Sequence, residues 1–94
     1  MKNCIDFLTE VTELSDAMTD EQMLRASIIS EQDATNLYLT FANRTKNPLL
    51  KKVFIDIAHE EEVHVHEFQT LLDKINPYEK TAQKQGQSEV KDME

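Results

Sequence analysis

Apolar residues recur along this chain at helical rather than strand spacing. Ile5, Leu8, Val11 and Leu14 predict a short amphipathic helix over residues 3–15. A helix of that length is marginal without a surface to dock on. Ser15, Asp16 and Thr19 interrupt the pattern. Thr19 with Gln22 fits a capping box, and Asp20 and Glu21 suit the positive end of a helix dipole. A long helix is therefore expected from about residue 20 to about residue 46. Its apolar stripe is Leu24, Ile28, Ala34, Leu37, Tyr38, Phe41 and Ala42. Asn47-Pro48 marks a turn, and Pro48 suits the first turn of a second helix. That helix is expected to run to about Ile75, ahead of Asn76-Pro77. Its stripe is Leu50, Val53, Phe54, Ile57, Glu61, His64, Phe68, Leu71, Leu72 and Ile75. A connection this short implies an antiparallel hairpin.

Beyond Pro77 the pattern fades. Residues 80–94 are mostly Lys, Gln, Glu, Asp and Ser, with Gly86 and no apolar cluster. A mobile tail or a weak terminal helix is expected there. Three segments result: 1–18 as an N-terminal piece, 19–78 as the hairpin, and 79–94 as a polar tail. No internal repeat is visible.

Composition sharpens this reading. Gly occurs once, Pro twice and Trp not at all, and 39% of the 94 residues are hydrophobic. That mixture favours an all-α protein. Two long helices cannot surround their own apolar faces, so oligomerisation is expected on grounds of burial alone. The formal net charge of −8 leaves no basic patch for nucleic acid and disfavours an anionic membrane surface. An acidic surface does raise the local concentration of cations. Cys4 is the single cysteine, which rules out an intrachain disulfide and a Cys-x-x-Cys metal site. No apolar run is long enough to span a bilayer. The opening Met1-Lys2-Asn3-Cys4-Ile5 lacks the apolar core of a signal peptide, so a cytoplasmic location is expected.

Three charged or titratable residues fall where apolar ones belong. Glu61 and His64 form a Glu-x-x-His pair inside the second stripe, flanked by Ile57 and Phe68. Residues three apart on a helix share a face, so both can point at one ion. Glu31 repeats the anomaly in the first stripe. An unsatisfied buried polar group costs roughly 1–3 kcal/mol, and an unpaired charge more. Facing helices carrying two such carboxylates and a histidine call for a compensating cation. Hard oxygens with an imidazole suit iron, manganese or zinc. Di-iron carboxylate bundles take one Glu from each of two helices and a Glu-x-x-His from each of two others. This chain supplies half of that set, and helices for half of that bundle. A second copy would supply the rest. The bland alternative is a buried Glu–His pair that merely sets helix register. Tyr38, one heptad after Glu31, is placed to act as a hydrogen-bond partner behind the ligands. His59, Glu62 and His66 read as a solvated outer face, and Cys4 as structural or incidental.

The stretch Leu24-Arg25-Ala26-Ser27-Ile28-Ile29-Ser30-Glu31 through Asn36-Leu37-Tyr38 resembles the encapsulated ferritin family. So does Ile57-Ala58-His59-Glu60-Glu61-Glu62-Val63-His64-Val65-His66-Glu67-Phe68. These are two-helix ferritin-like proteins carried as cargo of encapsulin shells. The resemblance covers about residues 20–78, and Glu31, Tyr38, Glu61 and His64 match together in type and spacing. It implies a ferritin-like four-helix bundle formed by two chains, within an annular decamer of five dimers. It further implies a ferroxidase centre in which Glu31, Glu61 and His64 of each chain hold two irons. Ferric product would then be stored in a surrounding encapsulin compartment. Two departures stand out. At the family's outer metal-entry positions stand Ser30, Asp33 and Leu37, of which only Asp33 suits a cation. The tail Val90-Lys91-Asp92-Met93-Glu94 does not resemble the short apolar targeting peptide of encapsulin cargo. A natural fusion to the shell protein, a free-standing chain and another docking signal are all compatible with that tail.

Three functional readings follow. The first is oxidation of Fe(II) to Fe(III) at the inter-chain centre. The second is a rubrerythrin-like peroxidase, disfavoured because no cysteines are present for a rubredoxin electron donor. The third is a non-catalytic helical assembly module that binds zinc or nothing.

Overall fold

A computed structural model describes residues 18–94, and these form three helices and no strand. They are α1 (Asp20–Arg44), α2 (Pro48–Ile75) and α3 (Tyr78–Met93). The helix expected over residues 3–15 lies outside the described residues.

Local chemistry accounts for each boundary. The Thr19 hydroxyl accepts from the Gln22 backbone N–H at 3.2 Å, and Gln22 Oε1 accepts from the Thr19 N–H at 2.9 Å. Both halves of the capping box are therefore made. α1 stops at Arg44, two residues short of the expected end. Thr45 is extended, with φ −69° and ψ 144°, and its hydroxyl accepts from the Asn47 N–H. Asn47 is also extended, as a residue before proline must be. Its Oδ1 accepts from Leu49 and Leu50, capping α2 with Pro48 in the first turn. α2 then runs to Ile75 as the spacing requires.

α1 and α2 pack side by side as the antiparallel hairpin. Small residues let the two backbones approach: Ala42 and Ala58 are buried, with Leu72 and Ala26 completing the fully covered set. Around the turn end, Phe54 stacks on Tyr38 at 6.1 Å and meets Phe41 at 5.5 Å. At about 100° per residue, each helix presents two further sides. On one, Met23 and Phe41 of α1 share a face with Val53, His64, Leu71 and Ile75 of α2. All six are exposed in the single chain. The other side is polar. Gln32, Thr35, Asn36, Glu62 and His66 line a groove of about 520 Å³ there, with Val65 among them.

The segment after Pro77, for which a mobile tail or a weak terminal helix is expected, is helical through Met93 and buries no residue. Its start is set locally: Asn76 Oδ1 accepts from the Tyr78 N–H, and the Asn76 carbonyl from the Glu79 N–H. None of the three helices is long and apolar enough to cross a membrane.

Candidate metal centre

The hairpin register brings three anomalous residues to one place. Glu31 comes from the middle of α1, and Glu61 and His64 from the facing middle of α2. One ligand atom from each lies within 4.8 Å of the others. His64 Nδ1 stands 3.5 Å from Glu31 Oε2 and 3.6 Å from Glu61 Oε2. The same ring nitrogen therefore faces both carboxylates. Ala58, with no exposed surface, sits one turn before Glu61 and allows the close helix approach that this convergence needs.

These separations are long for hydrogen bonds. Two donors each about 2.1 Å from one ion, at ordinary coordination angles, stand roughly 3.0–3.5 Å apart. Glu31 Oε2 is cut off from solvent and has no hydrogen-bond partner. A charged oxygen left in that state costs free energy unless a cation meets it. The donor set of two carboxylates and one imidazole thus fits a transition-metal ion. Glu31 is held in place by its helix, whose Thr35 hydroxyl donates back to the Glu31 carbonyl at 2.9 Å.

The histidine departs from expectation in its exposure. The Glu31 and Glu61 side chains are 24% and 19% exposed, but that of His64 is 48%. The physical reason is phase. His64 lies at the edge of the hairpin contact, on the side shared with Val53 and Leu71, where it is only half covered. Tyr38 also departs. Among the described residues it makes no hydrogen bond to Glu31, Glu61 or His64, and its ring is stacked on Phe54. His59, Glu62 and His66 are exposed, as expected of an outer face, and among the described residues they form no three-ligand group. Sequence reasoning missed Phe54 as the partner of Tyr38 and Ala58 as the spacer beside Glu61. The absence of any bulk at position 58, within a run of large residues, was the available signal.

The donor geometry agrees with comparisons to known proteins. The family model described as Rubrerythrin matches residues 22–93, spanning all of α2 and α3 and nearly all of α1. The chain is 40% identical over 72 residues to the "Ferritin-like-encapsulin shell fusion protein" of Pyrococcus furiosus. That alignment takes in 77% of this chain but only 21% of the relative, so the chain spans about a fifth of the relative's length. No solved structure matches the chain. Glu31, Glu61 and His64 all lie inside the family match, and the family implies an iron-binding domain. On its sequence and its helical architecture, the chain belongs to the rubrerythrin family of ferritin-like domains.

Proposed function

We propose that the chain is a ferroxidase whose centre is completed by a second copy of itself. The observation that carries this reading is the Glu31–Glu61–His64 cluster, with donor atoms within 4.8 Å of one another on a face that the single chain leaves open. Three donors are too few for two ions, and a two-fold axis through this face doubles them to four carboxylates and two imidazoles. Phe41, Val53, Leu71 and Ile75, exposed on the same side of the hairpin as His64, supply the apolar surface for that contact.

In this reading Fe(II) is the substrate. Each chain binds it through Glu31, Glu61 and His64 Nδ1. The four carboxylates carry a negative charge that favours Fe(III) over Fe(II), which lowers the barrier to giving up an electron. Two Fe(II) release two electrons, and dioxygen takes them up with two protons. Apolar packing around the cluster excludes bulk water and strengthens these charge interactions. The dimers assemble into an annular decamer. The resemblance to a relative described as a shell fusion supports a role in iron storage or detoxification within an encapsulin compartment, and so a location inside that compartment. Tyr38 would serve as a hydrogen-bond partner only once a second chain reshapes its surroundings.

The family match also favours a peroxidase reading, in which hydrogen peroxide replaces dioxygen as oxidant. Anaerobic loading with Fe(II), followed in separate runs by air or by hydrogen peroxide in a stopped-flow spectrometer, decides between them. Fast oxidation by air supports the ferroxidase. Oxidation by peroxide alone supports the peroxidase, and neither supports a non-catalytic assembly module.

A further inference from the structure

α3 is held to the rest of the chain by a small polar network. Arg25 of α1 donates to Glu21 Oε1 at 3.0 Å and to Glu79 Oε1 of α3 at 2.9 Å. Asn76, the residue that closes α2, donates from Nδ2 to the same Glu21 oxygen at 2.6 Å. One guanidinium, two carboxylates and one amide thereby tie together the start of α1, the end of α2 and the start of α3. Little else does. No Cα of α1 lies within 8 Å of a Cα of α3, and α3 buries no residue. The Glu79 hydrogen bond, and then the charge of Glu21, hold the Arg25 guanidinium above its ordinary pKa.

The side from which this network engages α3 matters. Arg25 lies seven residues before Gln32 and eleven before Asn36, which places each of those two within about 20° of Arg25 around α1. Gln32 and Asn36 line the polar groove. Phe41 stands about 160° away, on the open face that carries His64. α3 is about 24 Å long by its 16 residues and carries exposed Tyr78, Val90 and Met93. Released from the hairpin, it can swing about the Asn76-Pro77 joint toward the apolar Leu71 and Ile75.

We propose that Glu21, Arg25, Asn76 and Glu79 form an ionic latch that fixes the direction of α3 from the polar side of the hairpin and keeps it off the metal-bearing face. The second clause rests on the proposed pairing of that face with another copy. The latch itself does not.

Pulsed electron resonance distances between spin labels test it. Labels are placed at Asn43→Cys and Gln87→Cys in a full chain carrying Cys4→Ser, diluted with an excess of unlabelled chain. A single narrow distance distribution is expected at low salt. Arg25→Ala should broaden it at least two-fold, and Glu79→Gln should broaden it in the same sense. About 1 M salt should broaden the parent toward the variants, because screening at that strength acts within about 3 Å. A distribution equally narrow in both variants overturns the latch, as does a parent already broad at low salt. Fe(II) binding of the same samples is read separately. A chain that binds no iron yet keeps the salt-sensitive narrow distribution refutes the ferroxidase and upholds the latch.

Discussion

Glu31 Oε2 and His64 Nδ1 stand 3.5 Å apart, although 33 positions separate the two residues in the chain. Neither makes a hydrogen bond across that gap, and the carboxylate oxygen is closed to solvent. Two polar groups held face to face without bonding are poised for something between them. The hairpin turn at Asn47-Pro48 creates this relationship, since it sets which turn of α1 meets which turn of α2.

Helical phase makes a sharp prediction about neighbours in sequence. Glu61→Ala and His64→Ala should slow Fe(II) oxidation by at least the ~10–100-fold that loss of even an outer partner of a metal ligand costs. Glu62→Ala and His66→Ala, on the polar groove side, should leave the rate within about two-fold. Stopped-flow oxidation decides this, and equal loss from the Glu62 change would place the site on the wrong face.

A centre shared by two chains cannot be rebuilt from two different ligand deletions. Chains carrying Glu31→Ala mixed with chains carrying His64→Ala should stay defective, because each paired site draws on both sets of donors. The mixture should oxidise Fe(II) no faster than either variant alone. Full iron binding by a chain shown to be monomeric in sedimentation would remove the need for a partner.

Assembly should depend on metal. Pairing would bring two Glu31 and two Glu61 together, and like charges a few ångströms apart repel unless cations or protons intervene. A ligand that binds only the paired state stabilises it by mass action, by about 2.7 kcal/mol at a hundredfold excess over Kd. The dimer should therefore weaken in chelator and strengthen with Fe(II) or Zn(II). Glu61→Gln, which removes two of the four charges, should relax that dependence and lower oxidation. Native mass spectrometry across a metal titration at fixed protein concentration provides the check. An unchanged distribution of oligomers would mean that packing alone drives assembly.

Ala58 should tolerate no enlargement. It has no exposed surface and lies one turn before Glu61, on the buried side of α2. Ala58→Leu should cost about 1–3 kcal/mol, as overpacking does, and should also splay Glu31 from His64. Urea unfolding with Fe(II) titration reads both effects. A variant with parental stability and parental affinity would show that the contact at position 58 is slack.

The sequence by itself determined the features that depend on near neighbours. Capping chemistry at Thr19 and Gln22, proline at position 48 and a 3.6-residue apolar period are local causes, and the helices begin and end close to where they dictate. The candidate cluster was legible for the same reason. A carboxylate inside an apolar stripe is anomalous before any fold is known, and a hairpin leaves only the opposite stripe to face it. Tertiary structure decided what depends on distant pairs. Arg25 joins Glu79 across 54 positions and Asn76 joins Glu21 across 55, and no periodicity records such choices. Tyr38 stacks on Phe54 because their turns meet near the closed end of the hairpin, a matter of helix register. His64 is half exposed because two helices have an edge, and only their packing in space shows which side of the stripe that edge leaves open.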